Sequence, residues 1–226
     1  MWHGAYDQEM ADQFVSAHLM NRSEFFTKAP LTSIAISDQR FQNKKGNNWS
    51  GPLEGLTAQR AIRALENYGH HAESVLIGLA LTAALLPRTV GGTSAVGGSY
   101  PQQIDPFTAI PEQGDGYGPM LMSFLEYTAL RVGIVPRPDR NALLWSGLQP
   151  ARATTAYSYS QRLGDLNFTL AIELSGAFSG TRNGQPLFRA SGGVRVLTDL
   201  AGVVTEVWCV RECCTPQKWS IEMTIG

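Results

Sequence analysis

The sequence predicts a mainly helical fold, helical hairpins arranged as part of a toroid, followed by a small antiparallel β unit. Three observations carry that expectation. Residues 57–68 and 71–86 each place apolar side chains at helical spacing and are joined by a very short turn, the pattern of an antiparallel helical hairpin. Long irregular stretches lead into the helices that begin near residues 57 and 119, as loops do when they line the mouth of a ring of helices. Beyond Pro138 the period changes to short alternating runs separated by turn residues.

The elements follow in order. Tyr6, Met10 and Phe14 fall near one helical stripe, so residues 6–19 read as an amphipathic helix. From 27 to 56 the periodicity fails, broken by Pro30, Gly46, Gly51, Pro52 and Gly55 and crowded with amides and lysines at 42–45. Thr57 is placed to cap a helix whose inner stripe is Ala58, Ala61, Ile62, Leu65 and Tyr68, with Gly69 as its stop. The next helix is expected to end at Pro87. Residues 88–118 form a second glycine-rich irregular stretch, and a helix follows from Pro119 to Arg131. Strands are expected at 156–160, 167–174, 194–198 and 203–207, with Asn183-Gly184 as a hairpin turn. The pattern fades after Val210.

Composition excludes several classes. Net charge is -1 and charged residues make up 16% of the chain, so no basic face announces nucleic acid. No run of about 20 apolar residues is present to span a bilayer. The three cysteines, Cys209, Cys213 and Cys214, are confined to the end of the chain without a neighbouring histidine. They read as incidental thiols in a reducing, cytoplasmic setting rather than as a metal site or disulfide framework. No cofactor is expected.

The two irregular stretches hold the residues that carry chemistry. The first ends Asn47-Asn48-Trp49-Ser50-Gly51-Pro52-Leu53-Glu54; the second contains Tyr100-Pro101-Gln102-Gln103-Ile104-Asp105 and then Glu112, Asp115 and Tyr117. An aromatic face stacks on a sugar ring while amides and carboxylates bind its hydroxyls. Glycosidic hydrolysis requires two carboxyl groups flanking the bond. Glu54, Asp105, Asp115, Glu112 and Asp38 are the carboxylates available in these loops.

Trp49-Ser50-Gly51-Pro52 ahead of a hairpin resembles the Trp-x-Gly-Pro segment of the trehalase, processing α-glucosidase and mannosylglycerate hydrolase group. Residues 7–11, 24–26 and 30–35 resemble that group's approach to the segment, and 102–108 with Gly116-Tyr117-Gly118 resembles its late segment. The resemblance covers about residues 1–133. It implies an (α/α)6 six-hairpin barrel and hydrolysis with inversion. Gln102 stands where the group carries its catalytic base, and an amide cannot take a proton from water. The group's general acid lies upstream of anything matched here.

Together these readings give an expected C-terminal barrel portion at 1–148 and a β-sandwich-like appendage at 149–226. The expected function is an inverting glycoside hydrolase on an α-linked sugar or glycoside, in a fragment whose missing N-terminal part supplies the acid. Glu54 and Asp105 are the catalytic candidates; Asn48, Trp49, Gln102, Gln103 and Tyr117 are the saccharide-binding candidates. The alternative is a carbohydrate-binding or degenerate remnant without turnover.

Overall fold

The computed structural model describes residues 1, 4–46, 49–89, 100–113, 116–148, 154–210 and 220–223. The chain divides into two compact units, Met1–Tyr127 and Thr128–Gly226.

The first unit opens with α1 (Gln8–Phe14), capped by the Asp7 carboxylate, which accepts the Met10 N–H at 2.8 Å. It passes directly into a π-helical turn at Val15–Leu19, so the helix expected over 6–19 is present in two geometries. Helix α2 (Gly55–Glu66) buries Ala58, Ile62 and Leu65, and α3 (His71–Thr89) buries Val75, Ile77, Leu81 and Leu85. Helix α3 continues two residues past Pro87, where the sequence places its end. Helix α4 (Gly118–Val132) packs Met120 and Tyr127 against the other two. Two close approaches make that packing possible. A Cβ on Gly55 would sit 2.8 Å from the Met120 nitrogen, and one on Gly78 would sit 2.8 Å from the Tyr127 ring. The buried Tyr127 hydroxyl donates to the Ala58 carbonyl at 3.0 Å, and burial holds its proton well above the usual phenol range.

The irregular stretches are not plain loops. The first contributes β1 (Leu53–Glu54); the second contributes β2 (Gln103–Ile104) and β3 (Pro111–Gln113). These pair antiparallel in the order β1-β2-β3, with Leu53 opposite Ile104 and Glu54 opposite Gln103. Runs of two or three residues fall below the length at which alternation can be read from sequence.

The second unit is a two-sheet sandwich. One sheet has the order β11 (Val204–Cys209), β10 (Val194–Asp199), β5 (Ala142–Ser146), β4 (Ile134–Arg137). The other runs β12 (Ser220–Met223), β9 (Gln185–Ser191), β8 (Phe178–Arg182), β7 (Leu166–Ile172), β6 (Tyr157–Leu163). Alternate residues of both sheets meet in one core: Leu143, Trp145, Val194 and Val196 from the first, Phe168, Leu170, Phe178 and Phe188 from the second. Strands β5 and β10 are buried along their whole described length apart from Asp199. That removes the in–out alternation and explains why β5 is not readable as a strand from sequence. The Asn183-Gly184 turn joins β8 to β9 with both residues at positive φ, 50° and 81°, as a type I′ hairpin requires.

The expected fold class is corrected by these elements. The described residues hold four α-helices, and three antiparallel sheets account for the strands. That is neither a mainly helical chain nor an (α/α)6 barrel. Apolar periodicity reports that a helix buries one face. It does not report what that face packs on, and a hairpin of helices fits many architectures. The cysteine reading also changes: Cys209 is disulfide-bonded. Spacing along the chain carries no information about the Cβ separation that decides such a bond.

Candidate functional site

The small sheet of the first unit brings the two irregular stretches together. Glu54 ends β1 and is also the residue before α2, with extended backbone (φ -109°, ψ 135°). Antiparallel register sets it directly across from Gln103, so both side chains leave the same face. The Gln103 amide Nε2 donates to Glu54 Oε1, and Gln103 Oε1 accepts the Gly46 N–H at 3.1 Å. Both residues are fully buried. Glu54 Oε2 lies buried with no hydrogen-bond partner among the described residues.

Burial pushes the Glu54 carboxyl above its ordinary value, and the bond from Gln103 only partly offsets that. The position ahead of α2 favours the ionised form through the helix dipole, yet desolvation prevails. A protonated Oε2 is the state that suits a buried, unpaired oxygen.

Asp105 is treated differently by its surroundings. Burial alone would raise it. The N–H groups of Thr108 (2.7 Å) and Phe107 (2.8 Å) on Oδ1, with the Asn43 amide on Oδ2 (2.6 Å), outweigh that and hold it below the ordinary carboxylate value. The same bonds fold the 105–110 turn, closed by the Ala109 N–H to the Asp105 carbonyl at 2.9 Å. Glu112 on β3 is pushed up, first by burial and then by the nearby Asp105 charge, with Lys45 opposing. Its Oε2 also lacks a partner among the described residues.

Folding stability therefore carries a signed pH dependence. Folded Glu54 keeps its proton to higher pH than the unfolded chain, whose carboxyl titrates near 4.5. Its contribution is full below that value and declines as pH rises through the raised folded value. Asp105 acts oppositely: its contribution is present above 3.8 and is lost as pH falls. Glu54→Gln is expected to flatten the decline above pH 4.5 in urea titrations run across pH, while leaving the acid-side loss in place. An unchanged pH profile in that variant would show that Glu54 is not held protonated.

The remaining sequence candidates are placed as follows. Trp49 is 42% exposed, with φ at 52°, a region a bulky residue rarely adopts. The chain just after it is held by the Gln42 N–H to the Ser50 carbonyl at 2.6 Å and the Gly51 N–H to Ser33 Oγ at 3.1 Å. A Cβ on Gly51 would lie 2.2 Å from the Gln42 carbonyl oxygen, so the loop closes on itself there. Strain of this kind on an exposed aromatic marks a functional candidate. Gln102 and Tyr117 are half-buried; Tyr117 donates its N–H to the Tyr100 carbonyl at 2.8 Å. Asn48 and Asp115 lie outside the described residues. Asp38 is committed elsewhere: hydrogen bonds from Arg40 pull it down to about 2. Asn43, Lys45 and the Gly46 N–H are the site groups not singled out by sequence. The polar crowding at 42–45 is the signal that marks them.

Among the described residues no group of three histidine, cysteine or acidic side chains is arranged to hold a metal ion, and no helix is long and apolar enough to cross a membrane.

A helical unit with a buried carboxyl site, followed by an antiparallel sandwich, is the class of protein these elements define. No family model and no curated protein matches the sequence. Among solved structures, a sialidase matches with a TM-score of 0.65 at 14% sequence identity, over 88% of this chain and 20% of the sialidase chain. The chain thus spans about a fifth of the length of that sialidase. At this identity the likeness shows the fold, not the chemistry. It also overturns the resemblance to the trehalase, processing α-glucosidase and mannosylglycerate hydrolase group. The matched segments are short, and similarity over a few residues does not carry an architecture.

Proposed function

We propose that this is a carbohydrate-active domain that hydrolyses a glycosidic bond, with Glu54 as proton donor and Asp105 as the carboxylate that activates water. One observation supports the reading above the others: two carboxyl groups, one ending β1 and one in the turn just after β2, have their proton affinities displaced in opposite directions, Glu54 up and Asp105 down. Acid and base roles at a single pH require such a split. Gln103, engaged at both ends of its amide, is the positioning residue for Glu54. Trp49 supplies an exposed ring for a sugar face, and Gln102, Tyr117 and Asn48 are the further contacts proposed for its hydroxyls.

The sialidase likeness in fold is compatible with a saccharide substrate.

A second reading, saccharide binding without turnover, is favoured by the complete burial of Glu54 and by the three donors already on Asp105. Calorimetric titration of the chain with a panel of α-linked oligosaccharides, alongside proton NMR of the released anomer, separates the two. Release of free sugar supports hydrolysis, and the anomer first released reports its stereochemistry. Saturable binding with no released sugar supports the second reading. Absence of both removes carbohydrate from consideration.

A further inference from the structure

The first unit contains a hollow of about 560 Å³, lined by Arg22, Phe26, Thr27, Lys28, Ala80 and Phe107. This volume falls in the ordinary range for small-molecule sites. We propose that it binds a small oxyanion carried on a flat apolar body, such as an aryl carboxylate, with the anion on Arg22 and Lys28 and the apolar body against Phe107 and Phe26. The inference is independent of the carbohydrate reading.

Arg22 and Lys28 are both exposed, and among the described residues no acidic side chain lines the hollow. Arg22 forms no ion pair among the described residues, so its planar fork of donors is uncommitted. Lys28 gives one bond, to the Thr108 carbonyl at 3.1 Å, which anchors its ammonium beside Phe107 and leaves donors to spare. Two positive charges without a counter-charge attract an anion, and a guanidinium pairs with carboxylate or phosphate through two parallel bonds. The glutamate nearest in sequence, Glu24, is already paired with His18 at 2.8 Å.

The rest of the lining is apolar. Phe107 is 49% exposed and is fixed by an edge-on contact with Phe41, ring centroids 6.0 Å apart. Thr27 spends its hydroxyl proton on the Ala29 carbonyl at 2.8 Å. The side chains thus present strong donors and ring faces, with few acceptors. A neutral polyol, whose hydroxyls must donate as well as accept, is poorly served; an acceptor-only oxyanion on a ring is well served. The hollow is kept in shape by the Ala29 N–H to the Pro106 carbonyl at 3.1 Å, which ties the 22–28 segment to the turn that carries Phe107.

The test is titration of the full chain with 2-naphthoate, 2-naphthyl phosphate and neutral 2-naphthol, followed by two-dimensional NMR. Saturable binding of one or both anions, with shifts at Arg22, Lys28 and Phe107 and affinity at least about tenfold above that of the naphthol, is expected. The two anions distinguish carboxylate from phosphate as the preferred group. Arg22→Gln and Lys28→Gln, both at exposed positions that fold does not require, are each expected to lower affinity several-fold; Phe107→Ala is expected to weaken all three probes. Equal affinity for the neutral probe, binding unaffected by both charge substitutions, or no saturable binding overturns the proposal.

Discussion

Truncation of Trp145 to alanine is expected to destabilise the sandwich unit by about 3–5 kcal/mol, as removal of a buried aromatic does in a packed core. Trp145 is wholly buried, meets Phe168 and Phe188 edge to face at centroid distances of 6.1 and 5.4 Å, and donates its indole N–H to Thr198 Oγ1 at 2.9 Å. The variant loses that packing and leaves the buried Thr198 hydroxyl short of a donor, a further penalty of about 1–3 kcal/mol if no water replaces it. In a domain of this size each kcal/mol moves the melting midpoint by roughly 4–8 °C, so the unit should be largely unfolded under conditions where the wild type is folded. Trp145→Phe keeps the ring contacts and loses mainly the hydrogen bond, so its effect should be clearly smaller. Near-UV circular dichroism with urea titration reads both. A midpoint unchanged in the alanine variant would place the core elsewhere.

Glu54→Gln is the substitution with the largest expected effect on chemistry. If Glu54 delivers a proton to the leaving oxygen, the amide should lower kcat by about 10²–10⁴-fold, corresponding to roughly 3–5 kcal/mol of barrier. Its fold should survive, because a glutamine at 54 retains the oxygen that accepts from Gln103. The wild-type rate should fall on the alkaline side as Glu54 loses its raised proton, and on the acidic side as Asp105 gains one at its lowered value. Asp105→Asn should remove the acidic limb and a similar factor in rate, and circular dichroism will show whether the 105–110 turn is retained. A Glu54→Gln variant that changes only KM would end the acid assignment, because a lost proton donor acts on kcat.

Much of the secondary structure was legible in the sequence. The apolar stripe of Ala58, Ile62 and Leu65 announced α2, and the alternation of Phe168, Leu170 and Ile172 announced β7, because each buries one face at its own period. Asn183-Gly184 announced its hairpin because both residues tolerate positive φ. The candidate site was legible as two polar, aromatic-bearing stretches, though not as a pair of facing strands.

Residue order along the chain thus determined where backbone would coil, extend or turn, and which loops held carboxylates, amides and exposed rings. Only tertiary structure decided that the helices belong to a unit with no ring of hairpins, that Glu54 faces Gln103 across a two-residue ladder, and that Asp105 is claimed by Asn43 and its own turn. The physical reason is range. Helix and strand period arise from contacts a few residues apart, whereas the strand that pairs with Glu54 and one of the donors that lower Asp105 come from segments some 50 to 60 positions distant, Gln103 from Glu54 and Asn43 from Asp105, the other donors on Asp105 being local to its turn.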